Sequence, residues 1–148
     1  MKYKYSLLVI VVFTCLSSCK KSSQAPKPNI TIVGKWLITK QHSVLSNNGV
    51  QISASTDTTF TAADFVEYYS DGTGYFSMHS ATGPSIIEFT YTLTGTSLIQ
   101  NTSSENKGTP ETITSLTANN LSIHAISTVA DPNTGGADTE VDDYYYTR

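Results

Sequence analysis

From Ile30 to Arg148 the chain is a series of short segments in which apolar and polar residues alternate, each cut off by turn formers. The cleanest runs from Ser85 to Thr94, where Ile87, Phe89, Tyr91 and Leu93 alternate with Glu88, Thr90, Thr92 and Thr94. Strand side chains point to opposite faces in turn, so this pattern predicts a strand with one buried face and one wet face. Asp71-Gly72, set between Asp64 to Ser70 and Gly74 to Ser80, is the strongest hairpin signal. Asp-Gly supplies the positive φ that tight hairpin turns require. Asn47-Asn48-Gly49, Gly83-Pro84, Thr94-Gly95-Thr96 and Ala118-Asn119-Asn120 mark further turns.

Other strands are expected over Ile30 to about Val44, Val50 to about Ser55, Ser97 to about Asn101, Glu111 to Leu116, Leu121 to Val129 and Val141 to Thr147. Ser103 to Pro110 and Asp131 to Asp138 read as polar loops. The segment is rich in Thr, Ser, Tyr, Ile and Val and poor in Leu, Glu, Lys and Ala, the composition of strands and turns rather than helices. The fold class is therefore all-β, with about eight or nine antiparallel strands and no helix. Such a meander closes into a barrel or stacks as a sandwich. Gly34-x-Trp36 near the start of the first strand favours the barrel, because Trp36 can plug its base where Gly34 lets the chain bend.

The N-terminal segment has another character. Lys2 and Lys4 precede an apolar run, Leu7 to Phe13, and the small residues Ser17 and Ser18 precede Cys19. This is the layout of a secretory signal, and the run is shorter than the ~20 apolar residues of a spanning helix. Leu16-Ser17-Ser18-Cys19 resembles a bacterial lipobox; Cys15, behind Phe13-Thr14, fits that pattern less well. The resemblance implies a diacylglyceryl thioether on Cys19 and an acylated amine (palmitate among the chains), hence a membrane partner held through lipid. The expected organisation is a signal peptide over 1–18, a lipidated, lysine-bearing and proline-spaced tether over 19–29, and one domain over 30–148. The expected location is the bacterial cell envelope, at the outer membrane.

Both cysteines, Cys15 and Cys19, precede the domain, so it has no disulfide, thiol nucleophile or cysteine metal ligand. From Ile30 onward Lys35, Lys40, Lys107 and Arg148 stand against all 12 acids, a net charge of −8. An acidic, exported domain has no electrostatic footprint for nucleic acid.

The order of motifs is similar to that of bacterial lipocalin-like domain proteins. Ile32-Val33-Gly34-Lys35-Trp36 resembles their Gly-x-Trp start. Tyr68-Tyr69-Ser70-Asp71-Gly72-Thr73-Gly74 resembles their aromatic-rich Asp-Gly-Thr hairpin, with Asp71 and Gly72 at the turn. Phe89 to Leu98, Ile113 to Leu121 and Asp143 to Arg148 resemble their later hairpins and final strand. The resemblance implies a lipocalin-like up-and-down antiparallel β-barrel of about eight strands. The chain lacks a clear second lipocalin motif.

No motif fixes a reaction. There is no Gly-x-Ser-x-Gly elbow, no phosphate loop and no paired-histidine motif, and no cofactor is expected. His124 has the opposite parity to Leu121 and Ile123 and should face outward. His42 shares the parity of Trp36 and should face inward unless a bulge intervenes. Asp131 to Asp142 echoes a calcium loop but has Gly135 at the fifth place and Asp142 at the twelfth, so an acidic hairpin loop is the better reading. The expectation is a non-enzymatic binding module. Its barrel interior, walled by Trp36, Phe89, Tyr91, Leu98, Leu121 and Ile123, would take a small apolar ligand. The alternative is a filled barrel acting as a structural or interaction module, with outward tyrosines meeting protein or glycan.

Overall fold

The computed structural model describes residues 30–102, 108–130 and 136–148. The signal segment, Cys19 and the tether lie outside the described residues. The described chain forms nine antiparallel strands: β1 (Gly34–Asn47), β2 (Val50–Asp57), β3 (Phe65–Tyr68), β4 (Thr73–Met78), β5 (Ser85–Thr94), β6 (Ser97–Asn101), β7 (Glu111–Leu116), β8 (Asn120–Ala130) and β9 (Ala137–Thr147). From β3 onward each strand pairs with its successor, and β9 returns to β1 and closes the ring. Eight strands make the barrel, with β2 as an extra strand on β1.

Turn chemistry sets the hairpins. Asn48 and Gly49 both have positive φ, 49° and 78°, as a two-residue turn of the inverted type demands. At Gly72, φ is 86°, and the Asp71 carboxylate accepts bonds from the Thr73 N–H at 3.0 Å and the Thr73 hydroxyl at 2.7 Å. Between β3 and β5, Gly74 faces Phe89 with no room for a side chain. A Cβ there would lie 2.4 Å from the Glu67 carbonyl oxygen and 2.7 Å from the Phe89 ring.

β1 has three neighbours. Gly34–Leu37 pairs with β3, Leu37–Ser46 with β9, and Gln41–Asn47 with β2. The upper half of β1 therefore leaves β3, and the chain between β2 and β3 crosses the resulting seam. Asp64 fastens this crossing. Its backbone carbonyl accepts from the Ile38 N–H at 3.0 Å, and its carboxylate accepts from the His79 N–H at 2.6 Å, just past β4.

The solid part of the core lies in the lower barrel. Trp36, Val66, Tyr68, Leu98 and Leu121 are fully buried, and Ile32, Phe89, Ile113, Ile123 and Tyr146 are nearly so. Each such side chain contributes about 1.5–3 kcal/mol by leaving water. The alternation read over Ser85 to Thr94 places Phe89 in this core. Ile87 and Leu93 differ, at 46% and 37% exposed. β5 pairs with β6 only over Thr90–Thr94, so the β4-side end around Ile87 has no roof on that edge among the described residues.

Candidate functional site

Above the packed layer the barrel is hollow. A cavity of about 220 Å³ is lined by the apolar side chains of Ile38, Phe60, Phe76 and Met78 and the polar or phenolic ones of Gln41, Gln100, Glu111, Tyr144 and Tyr146. The position of Gln41 depends on a bulge. Ile38 pairs with Tyr146 but Lys40 pairs with Tyr145, so Thr39 is the extra residue. Beyond it the inward parity of β1 changes from even to odd. Gln41 then faces in beside Tyr144, and His42 faces out, 3.0 Å from the Thr56 hydroxyl. The bulge that qualified the inward reading of His42 is present. His124 is on the outer face as expected, its Nδ1 2.7 Å from the Asp143 carboxylate.

The polar groups of the cavity are unevenly satisfied. Gln100 donates to the Tyr68 hydroxyl at 2.7 Å, and Gln41 donates to Asp142 at 3.1 Å. The Ser43 hydroxyl also donates to Asp142. The Glu111 carboxylate has no hydrogen-bond or ion-pair partner among the described residues. Burial alone pushes its carboxyl up to about 7. The neighbouring phenols respond to the same environment. Tyr144 is pushed up to about 12, by burial first and then by the charges of Asp142, Glu111 and Glu140. Tyr68 and Tyr146 are raised well above the usual range, chiefly by burial, with Glu111 adding to it.

At the seam, Phe60 is carried on the crossing held by Asp64. This carboxylate is inaccessible to solvent yet accepts from the Thr61 N–H at 2.6 Å, the Thr61 hydroxyl at 2.8 Å and His79 Nδ1 at 2.6 Å, besides the His79 N–H. Desolvation raises its pKa, but these bonds together outweigh it and hold the carboxyl at about 2.

None of the six residues expected to wall a ligand space lines this cavity. Trp36, Leu98, Leu121, Ile123 and Phe89 are core, and they fill the lower barrel rather than line the cavity. Their bulk is the reason: close-packed large side chains in a narrow barrel leave no void. Tyr91 is half-buried, and its hydroxyl donates to the Tyr69 carbonyl at 2.7 Å. Gly34 takes a φ of 122°, Trp36 is fully buried, and Asp71 and Gly72 lie in the turn between β3 and β4.

The calcium-loop echo is divided. Residues 131–135 lie outside the described residues, whereas Asp138 and Asp142 belong to β9, not to a loop. Among the described residues no group of three or more His, Asp or Glu side chains is placed to hold a metal, and no helix is long and apolar enough to cross a membrane. On the outer face, Tyr75 lies edge-on to Phe65 at 5.5 Å and near Tyr69 at 6.2 Å, with the Lys35 ammonium 3.5 Å over Phe65. Compared with known proteins, the chain matches no family model, no curated protein and no solved structure.

Proposed function

We propose that this protein is a non-enzymatic binding barrel, lipid-anchored through Cys19 at the cell envelope, which takes one small amphipathic molecule in its upper half. The observation that carries the reading is the cavity of about 220 Å³ whose lining combines apolar Phe60, Phe76 and Met78 with polar Gln41, Gln100 and Glu111. A barrel whose interior served only as core would bring apolar atoms to these positions. Among the described residues no fully buried side-chain N or O lacks a partner, so a ligand with matching groups would replace water at these positions. The volume is below the ~300 Å³ at which drug-sized sites begin, so the ligand is small. Anchoring follows from the lipobox resemblance of Leu16-Ser17-Ser18-Cys19.

Native mass spectrometry of the gently purified full chain tests the reading. An adduct lost on denaturation is the expected result. A bare polypeptide mass, repeated after incubation with envelope lipid extract, would turn attention to the second reading. That reading is an interaction module using the outer Phe65–Tyr75–Tyr69 strip, where aromatic faces and the Glu67 carboxylate, 3.0 Å from the Tyr75 hydroxyl, suit a sugar ring.

A further inference from the structure

The charge of the cavity selects among small ligands. Glu111 is the one acid among the cavity-lining side chains, and none of them is basic. The cations of the described chain are engaged elsewhere. Lys35 lies over Phe65, Lys40 Nζ is 3.7 Å over the Tyr145 ring, and the Arg148 guanidinium is 3.8 Å over the Trp36 ring.

The inward face of β9 beyond the cavity has the same sign. β9 pairs with β8 from Thr147 to Ala137 without a register shift, so its alternation stays in phase along its whole length. Tyr146 and Tyr144 line the cavity, and Asp142, Glu140 and Asp138 continue the same inward face away from it. Gln41 stands opposite Tyr144, Ser43 opposite Asp142 and Leu45 opposite Glu140, with no base among these partners. Asp142 and Glu140 are close enough to Tyr144 to raise its pKa, so their field reaches the cavity. A cleft lined by one sign of charge with low-dielectric walls concentrates the opposite ion.

We propose that the cavity selects a small protonated amine on a short apolar or aromatic body, with Glu111 taking the ammonium and Phe60, Phe76 and Tyr144 walling the body. This rests on the reading of the cavity as a ligand site and names the charge of its ligand. An anionic molecule would repel the Glu111 carboxylate and a neutral hydroxyl would offer it a donor without charge, whereas an ammonium gives it a hydrogen bond with opposite charges on both partners. The ring faces add attraction for the same charge. An apolar cavity of about 150 Å³ holds benzene, so one of about 220 Å³ has room for such a body with an aminoalkyl arm.

The test is isothermal titration of the purified full chain with n-hexylamine, 1-hexanol and hexanoate, matched in length and different in charge. At pH 8 hexylamine should bind about tenfold or more tighter than hexanol, with hexanoate weakest and the stoichiometry one. The preference should shrink as the pH is lowered from 8 to 5, because Glu111 takes up a proton while the amine stays charged. Glu111→Gln should bind the amine and the alcohol alike. Hexanol binding as tightly as hexylamine would overturn cation selection and leave the ligand cavity standing. Binding of none of the three, together with a bare native mass, would overturn both. A stoichiometry above one that salt abolishes would assign the attraction to surface acids and also overturn the proposal. Should Glu111→Gln fail to fold, the pH series on the unaltered chain decides, and a preference independent of pH between 8 and 5 refutes the role of Glu111.

Discussion

The Arg148 guanidinium carbon lies over the Trp36 indole, 3.8 Å from the ring centroid, and the guanidinium donates to the carbonyls of Thr31 at 2.8 Å and Val33 at 3.1 Å. The indole N–H donates to the Ile32 carbonyl at 2.6 Å. One side chain from the end of β9 thereby ties the chain entering β1 to the plug of the barrel. Arg148→Ala should cost about 1–2 kcal/mol, combining a stacked cation with charge-assisted bonds at a partly exposed site. Arg148→Lys should recover little, since an ammonium cannot both stack and bridge two carbonyls. Trp36→Ala should cost about 3–5 kcal/mol. Urea unfolding followed by circular dichroism measures all three, and a midpoint for Arg148→Ala equal to that of the parent would show that the stacked geometry contributes nothing to stability.

Gly74 is required for what it lacks. A Cβ would overlap the Glu67 carbonyl and the Phe89 ring, and the carbonyl belongs to a paired strand that cannot swing away. Gly74→Ala should therefore cost about 2–4 kcal/mol through overpacking, despite the strand preference of Ala over Gly. The double change Gly74→Ala with Phe89→Leu separates the two obstacles. Partial recovery of the thermal midpoint assigns the clash to the ring, and no recovery assigns it to the backbone.

Local chemistry was readable and long-range parity was not. Asn48-Gly49 and Asp71-Gly72 turn where their composition says, because the positive φ they supply is a property of the residues themselves. β5, β6 and β7 begin and end where the alternation and turn signals place them. β9 begins at Ala137, not Val141, because its early inward positions are Asp138, Glu140 and Asp142. An acidic inward face carries no hydrophobic alternation to detect. The bulge at Thr39 has no mark in the sequence, yet it alone brings Gln41 to the cavity and turns His42 outward. Glu111 left a faint signal: it shares the parity of Ile113, a core residue, and so is an inward acid at the start of a strand. The Arg148 side chain left none, since its hydrogen-bond partners are more than a hundred residues away in the chain.

Asp64 should behave as the fastening of the seam. Asp64→Ala strips partners from the N–H groups of Thr61 and His79 and from the Thr61 hydroxyl, and should cost about 3 kcal/mol or more. The carboxyl titrates near 2 in the folded chain against an ordinary 3.8, so its contribution is complete above about 3.8 and is lost as the pH falls towards 2. Hydrogen exchange gives a local readout. Faster exchange at Ile38 and His79 in the variant, with Leu121 and Ile123 unchanged, is expected. Uniform acceleration would mean that Asp64 supports the whole barrel rather than the seam.

Glu111 should make the opposite contribution in a separate pH window. Its carboxyl titrates at about 7 when folded, against an ordinary 4.5. Between these values the folded chain holds a proton that the unfolded chain releases, so stability is greatest below about 4.5, declines as the pH rises, and levels off above about 7. With allowance for its partial contact with solvent, the liability is on the order of 2 kcal/mol at pH 8. Glu111→Gln, of nearly equal volume, removes it. The variant should be more stable than the parent at pH 8 and no more stable at pH 4.5, measured as urea midpoints across the series. A stabilising substitution at this cavity-lining acid, paired with the loss of amine selectivity in the same variant, is the stability–function trade-off expected of a binding residue. A constant difference between the two proteins from pH 4.5 to 8 would instead place the Glu111 carboxylate in bulk-like water, and the cavity would then be too wet at that depth to hold an ammonium by burial.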